Sequence, residues 1–228
     1  MIADLISWFS DPARWSGANG IPMRVLEHLG YSALALLVAA AIALPVGIWI
    51  GHTGRGRRVV VALSSALRAL PTLGLLTFLA IVLQTGLRQA IIPTVAVLVV
   101  LAVPPLLAGT YAGLQAVPRE VVHAARANGH STGQLIGSVE LPLALPMIVG
   151  GLRSAVLQVL ATTSVAAYLG LGGLGRYLFD ALAVQDYTTM LAGAVLIGVL
   201  ALLSDALLLG AQRLATPAGL RPRRKARH

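Results

Sequence analysis

Five apolar runs, at 29–51, 59–83, 91–115, 143–169 and 188–210, decide what this chain can fold into. Each is long enough to cross the hydrocarbon core of a bilayer, which takes about 20 mostly apolar residues. Inside that core every backbone N–H and C=O needs a partner within the chain, so each run is expected to be a helix. Composition points the same way: 57% of the 228 residues are hydrophobic and 11% are charged. So few charges cannot cover a water-soluble domain. The expected fold is an all-α integral membrane protein with about five transmembrane helices. The chain holds no cysteine, which excludes a disulfide framework and any cysteine-based redox or metal centre. No metal site is expected.

The basic residues orient the spans. Arg55, Arg57 and Arg58 follow the first run, Arg119 and Arg126 precede the fourth, and Arg213, Arg221, Arg223, Arg224, Lys225 and Arg227 follow the fifth. Five crossings put all of these on one side and leave Arg14, Arg24, Arg88 and Arg176 on the other. Cytoplasmic loops carry the excess of Lys and Arg, so the amino terminus is expected outside and the carboxyl terminus in the cytoplasm. The net charge of +9 then reads as loop charge and not as a nucleic-acid surface, since no base-reading motif accompanies it. The opening 1-MIADLISWFSDPARW-15 lacks the basic start of a signal peptide and has an early Asp4. Ile2, Leu5, Ile6 and Phe9 share a helical face, as in a short helix lying on the membrane. The chain divides into an interfacial segment 1–25, a transmembrane domain 26–212 and a basic cytoplasmic tail 213–228.

One stretch breaks the apolar pattern. In 118-PREVVHAARANGHSTGQLIGSVELP-142 small, polar and helix-punctuating residues replace the apolar ones. Pro118 suits a helix start, and Asn128-Gly129 a helix stop, because glycine accepts the left-handed conformation. Ser131-Thr132-Gly133-Gln134 has the spacing of a capping box that opens a second short helix. Glu140-Leu141-Pro142 is expected to end it, since the residue before proline is pushed out of the α region. Two readings stand: a docking surface, in which Ala124 and Ala125 allow close approach of another protein, or a folded connection between spans.

The order Ala124-Ala125, three residues, Gly129, nine residues, then Val139-Glu140-Leu141-Pro142 resembles the Glu-Ala-Ala loop of ABC-importer permeases. That resemblance extends over about residues 25–212, and 166-AAYLGLGGLGRYLFDAL-182 resembles the Gly-rich turn of the branch that imports glycine betaine, choline and related osmoprotectants. It implies a type I ABC importer permease fold in the plasma membrane of a prokaryote. It also implies a coupling loop at 117–142 that docks on a cytoplasmic ABC ATPase, an external binding protein that delivers the solute, and a second permease subunit, identical or paralogous. The resemblance makes this subunit no enzyme and gives it no cofactor and no catalytic residue; ATP and magnesium belong to the ATPase. Methionine, a polar amino acid or phosphonate is the alternative cargo. The residues expected at the ATPase are Glu120, His123, Ala124, Ala125, Gly129, Glu140, Leu141 and Pro142. His123 stands where the family has glutamate, and Glu120, one turn away, is expected to supply the missing acid.

Gln158, Thr162, Thr163 and Ser164 are candidates for lining the path, with interhelical hydrogen bonding as the competing role. Tyr168 is a candidate for transient cation–π contact with a quaternary ammonium solute. Among the ionisable groups within the runs, Asp205 is the only acid, and Arg68 and Arg153 the only bases. The arginines are expected to snorkel, to form a structural pair, or, for Arg153, to brace the coupling loop.

Overall fold

The computed structural model describes residues 2–84 and 89–215. Arg88 and the tail from 216 to 228, placed above on opposite sides of the membrane, lie outside the described residues. Helix α1 (Ile2–Ser10) and a 3₁₀ turn (Pro12–Trp15) precede α2 (Ile21–Thr53). Then come α3 (Arg57–Arg68), α4 (Thr72–Val82), α5 (Ile91–Gln115), α6 (Arg119–Ala127) and the single turn α7 (Thr132–Gln134). A π turn (Leu135–Glu140) joins α7 to α8 (Leu141–Thr163), and a 3₁₀ turn (Ser164–Leu169) leads to α9 (Gly175–Ala183) and α10 (Tyr187–Ala215). Among the described residues there is no strand.

Four helical stretches are long and apolar enough to cross a bilayer, and there are five if the bent pair of α3 and α4 counts as one span. The pair replaces the one helix expected over 59–83 with two. Pro71 lacks an N–H, and its ring pushes Leu70 out of the α region. Helix α3 therefore stops at Arg68, Pro71 takes an extended conformation, and α4 starts afresh at 92° to α3. The second correction lies at Pro142. Helix does not end before it but runs on from Thr132 to Leu169. In the π turn Leu141 N–H donates to Ile136 C=O, five residues back. This wider turn admits the proline ring without breaking the helix.

The bundle is built on α2, α5 and α8. Ala35, Ala39, Ala43, Gly47 and Gly51 recur every fourth residue along α2, which puts them on one face. The three alanines are fully buried with Leu98, Ala102, Leu106, Ala155 and Val159 of the other two helices. Between α5 and α8 the approach is closer still. A Cβ on Gly109 would sit 2.7 Å from the Gly151 Cα. Small residues are how membrane helices pack tightly when no hydrophobic drive separates protein from lipid.

At the α9 end of the bundle the Gly-rich turn folds over the start of α2. Gly170 and Gly173 have φ of 83° and 89°, conformations open to glycine. Gly173 N–H donates to Glu27 Oε2 at 2.7 Å, and Arg24 Nη1 donates to the same oxygen at 2.9 Å. Helix α1 does not lie free. Trp8 is buried with Ile21 and Ala192 and packs edge-on to Tyr177. Its indole N–H donates to Thr189 Oγ1 at 2.9 Å, and Thr189 in turn donates to Asp186 Oδ2 at 2.6 Å. Of the four residues that share an apolar face by sequence, Leu5 and Phe9 join this cluster while Ile2 and Ile6 stay exposed.

Candidate coupling surface and cavity

The interrupting segment is a pair of short helices whose facing ends, the close of α6 and the start of α7, are both hydrogen-bonded. Asn128 closes α6 twice, its N–H and its side-chain amide both donating to Ala124 C=O. Gly129, at φ 81°, donates to Arg126 C=O, and His130 N–H reaches back to Ala125 C=O. Those two bonds are a Schellman motif. Two residues on, Ser131 N–H donates to Gln134 Oε1 at 2.9 Å and Gln134 N–H to Ser131 Oγ at 3.4 Å. This is the reciprocal capping box its sequence spacing announces.

The two alanines differ. Ala125 is buried, whereas Ala124, Glu120, His123 and Gly129 are exposed. Glu140 is buried at 5% exposure, and His52 Nδ1 donates to its Oε2 at 2.8 Å. It ties the π turn to the end of α2. Leu141 is half-buried and Pro142 exposed; both sit on α8 above the π turn.

Between the α3–α4 corner, α5 and α8 lies a cavity of about 550 Å³, with Thr72, Pro105, Gly109, Ser154 and Gln158 in its wall. The path candidates fall into three environments. Gln158 faces this cavity. Thr162, one turn further, donates to Gln158 C=O at 2.7 Å and faces a smaller apolar cleft beside Leu76 and Thr94. Thr163 is turned away into the α2–α8 interface. It is buried, donates to Val159 C=O at 2.8 Å and lies 2.9 Å from Ser32 Oγ. Ser164 donates to Ala161 C=O within its own turn. Tyr168 is half-exposed, its ring edge toward Phe179. Ser154 and Thr72 were missed by sequence; Ser154 stands four residues before Gln158, a spacing that shares one helical face.

Arg153 is paired. Its Nε and Nη2 donate to the two oxygens of Asp205 at 2.9 Å each, and Nη1 donates to Gln212 Oε1 at 3.0 Å. Gln212 Nε2 donates to Pro146 C=O at 2.8 Å, so α8 and α10 are clamped at two levels. A planar fork facing a carboxylate is the strongest such arrangement, and the pairing lets both charges reside within helices that cross the bilayer.

The profile of the family described as "Binding-protein-dependent transport system inner membrane component" matches residues 43–215. The choline transport system permease protein OpuBB of Bacillus subtilis is 29% identical over 197 residues, spanning 86% of this chain and 89% of that protein. The carnitine transport permease protein OpuCB of Listeria monocytogenes is 30% identical over 207 residues, spanning 91% and 93%. Among solved structures, an inward-facing conformation of the MetNI methionine ABC transporter superposes with a TM-score of 0.75. It is 25% identical and covers 91% of this chain and 100% of that one.

Proposed function

This chain belongs to the family of binding-protein-dependent transport system inner membrane components, and from that premise we propose that it is the permease subunit of an ATP-driven importer of osmoprotectants. The cargo class is of the glycine betaine, choline, carnitine and proline betaine type, which the names of relatives about 30% identical support. The observation that carries the mechanism is the continuity from α6 through the capped Gly129 turn and the π turn into α8. The connection from α6 to α8 is short and capped on both sides of Gly129, so movement of α6 is passed toward α8, which carries Ser154 and Gln158 in the cavity wall.

In this reading a cytoplasmic ATPase docks on Glu120, His123, Ala124 and the Gly129 turn, and binds the ATP and magnesium itself. A second permease subunit closes the cavity, and an external binding protein delivers the solute from the side of the Gly-rich turn. The amino terminus lies outside and the carboxyl terminus in the cytoplasm of a prokaryotic cell membrane. ATP supplies the bias between inward-open and outward-open states that a solute of equal affinity for both could not. Gln158 meets the passing solute, and Tyr168 offers its exposed ring near the entrance.

Uptake into vesicles by the complex with its binding protein, measured against betaine, choline, carnitine, proline and methionine, tests the proposal. ATP-dependent uptake of a betaine or choline compound supports it. Uptake of methionine alone would favour the alternative cargo, which the likeness to the methionine transporter structure keeps in play.

A further inference from the structure

Beside α6 lies a second concavity, of about 530 Å³, between the end of α2 and the start of α3. Its wall holds Arg57, Arg119, His123 and Arg126, together with His52 and Glu140. Glu140 is already engaged by His52 at 2.8 Å. Among the described residues none of the three arginines forms an ion pair. Three guanidinium groups thus line a concave wall without a free acid to offset them, a geometry that focuses positive potential.

Position 123 acquires a reason here. On a helix it is four residues after Arg119 and three before Arg126, the spacings at which side chains pair. A glutamate at 123 would stand within pairing reach of both arginines and offset one of their two charges within α6. Histidine leaves them open. Glu120, which does not line this wall, keeps its acid on the neighbouring face.

Resting on the reading of α6 as an ATPase-docking helix, we infer that this concavity is a second contact surface that receives acidic side chains of the docked ATPase. Charge complementarity selects the occupant, because guanidinium groups pair with carboxylates in a two-pronged, charge-assisted geometry. The coupling joint thereby has two poles, an acidic one at Glu120 and a basic one around His123.

The test is binding of the purified ATPase to the full-length chain in neutral detergent, at low and at tenfold higher salt. R57E, R126E and H123E are each expected to raise the Kd at least tenfold at low salt. R126K is expected to stay within twofold of wild type, and added salt to weaken the wild type most. R57E and R126E binding as tightly as wild type would overturn the inference. So would variants that lose affinity for phosphatidylglycerol vesicles while keeping it for the ATPase, since the occupant would then be a lipid headgroup. If the wild-type chain binds no ATPase, the docking reading itself fails and takes this inference with it. Unaltered melting temperatures of the variants exclude misfolding as the cause.

Discussion

Arg153 on α8 and Asp205 on α10 meet fork to fork, with two hydrogen bonds of 2.9 Å between helices 52 residues apart in sequence. Breaking a buried pair from one side typically costs about 3–5 kcal/mol, because a lone charge remains. The two side chains keep 25% and 28% of their surface exposed, so Asp205→Ala is expected to cost roughly half of that, about 2 kcal/mol. The exchanged pair R153D/D205R is expected to recover most of the loss. Denaturation in micelles reads both, and a wild-type midpoint for Asp205→Ala would show that the pair contributes nothing.

At the coupling surface, Glu120→Ala is expected to uncouple ATP hydrolysis from uptake more strongly than His123→Ala. Glu120 is the exposed acid of α6, so truncating it takes the carboxyl group off the face proposed to meet the ATPase. The ratio of uptake to hydrolysis in proteoliposomes measures the difference. Equal or reversed effects would remove Glu120 from its proposed role.

Gly109→Ala is expected to force α5 and α8 apart. The added Cβ would meet Gly151 Cα at 2.7 Å and Met147 C=O at 2.9 Å, and backbone cannot rotate away as a side chain can. Overpacking of this kind costs about 1–3 kcal/mol. A lowered melting temperature should accompany slower transport, and an unaltered temperature would argue that the helices are held less tightly than their spacing implies.

Asp186 accepts from Thr189 N–H and from the Thr189 hydroxyl, and these bonds hold its carboxyl below the usual carboxylate range. A depressed folded-state pKa means stability that is present above the unfolded value, near 4, and lost as pH falls through the lower folded value. Because Trp8 hangs on the same Thr189 hydroxyl, acidification below about pH 4 is expected to release α1 and red-shift tryptophan emission. Asp186→Ala should release it at neutral pH at a cost near 1 kcal/mol, the usual worth of a helix cap. An unaltered spectrum in that variant would refute the link.

What the sequence makes legible here is local. The capping box at Ser131 and the stop at Gly129 each depend on a few neighbouring residues, and each folds as its spacing says. Pro71 and Pro142 show the limit of local rules. The same pre-proline clash breaks the helix at one site and is absorbed by a π turn at the other. Which outcome holds depends on packing against elements far along the chain. His52 with Glu140 and Arg153 with Asp205 are 88 and 52 residues apart, and no short-range signal joins them. Thr163 was grouped with Gln158 by type, yet its place on the helix turns it toward Ser32.

The π turn also fixes an angle. A plain α-helix advances about 100° per residue, so the extra residue held in Leu135–Glu140 sets how the hairpin is clocked about the axis of α8. Excising a single residue there would leave both helices intact and swing the coupling face by about that angle. The driveshaft would still turn, with its teeth facing the wrong way.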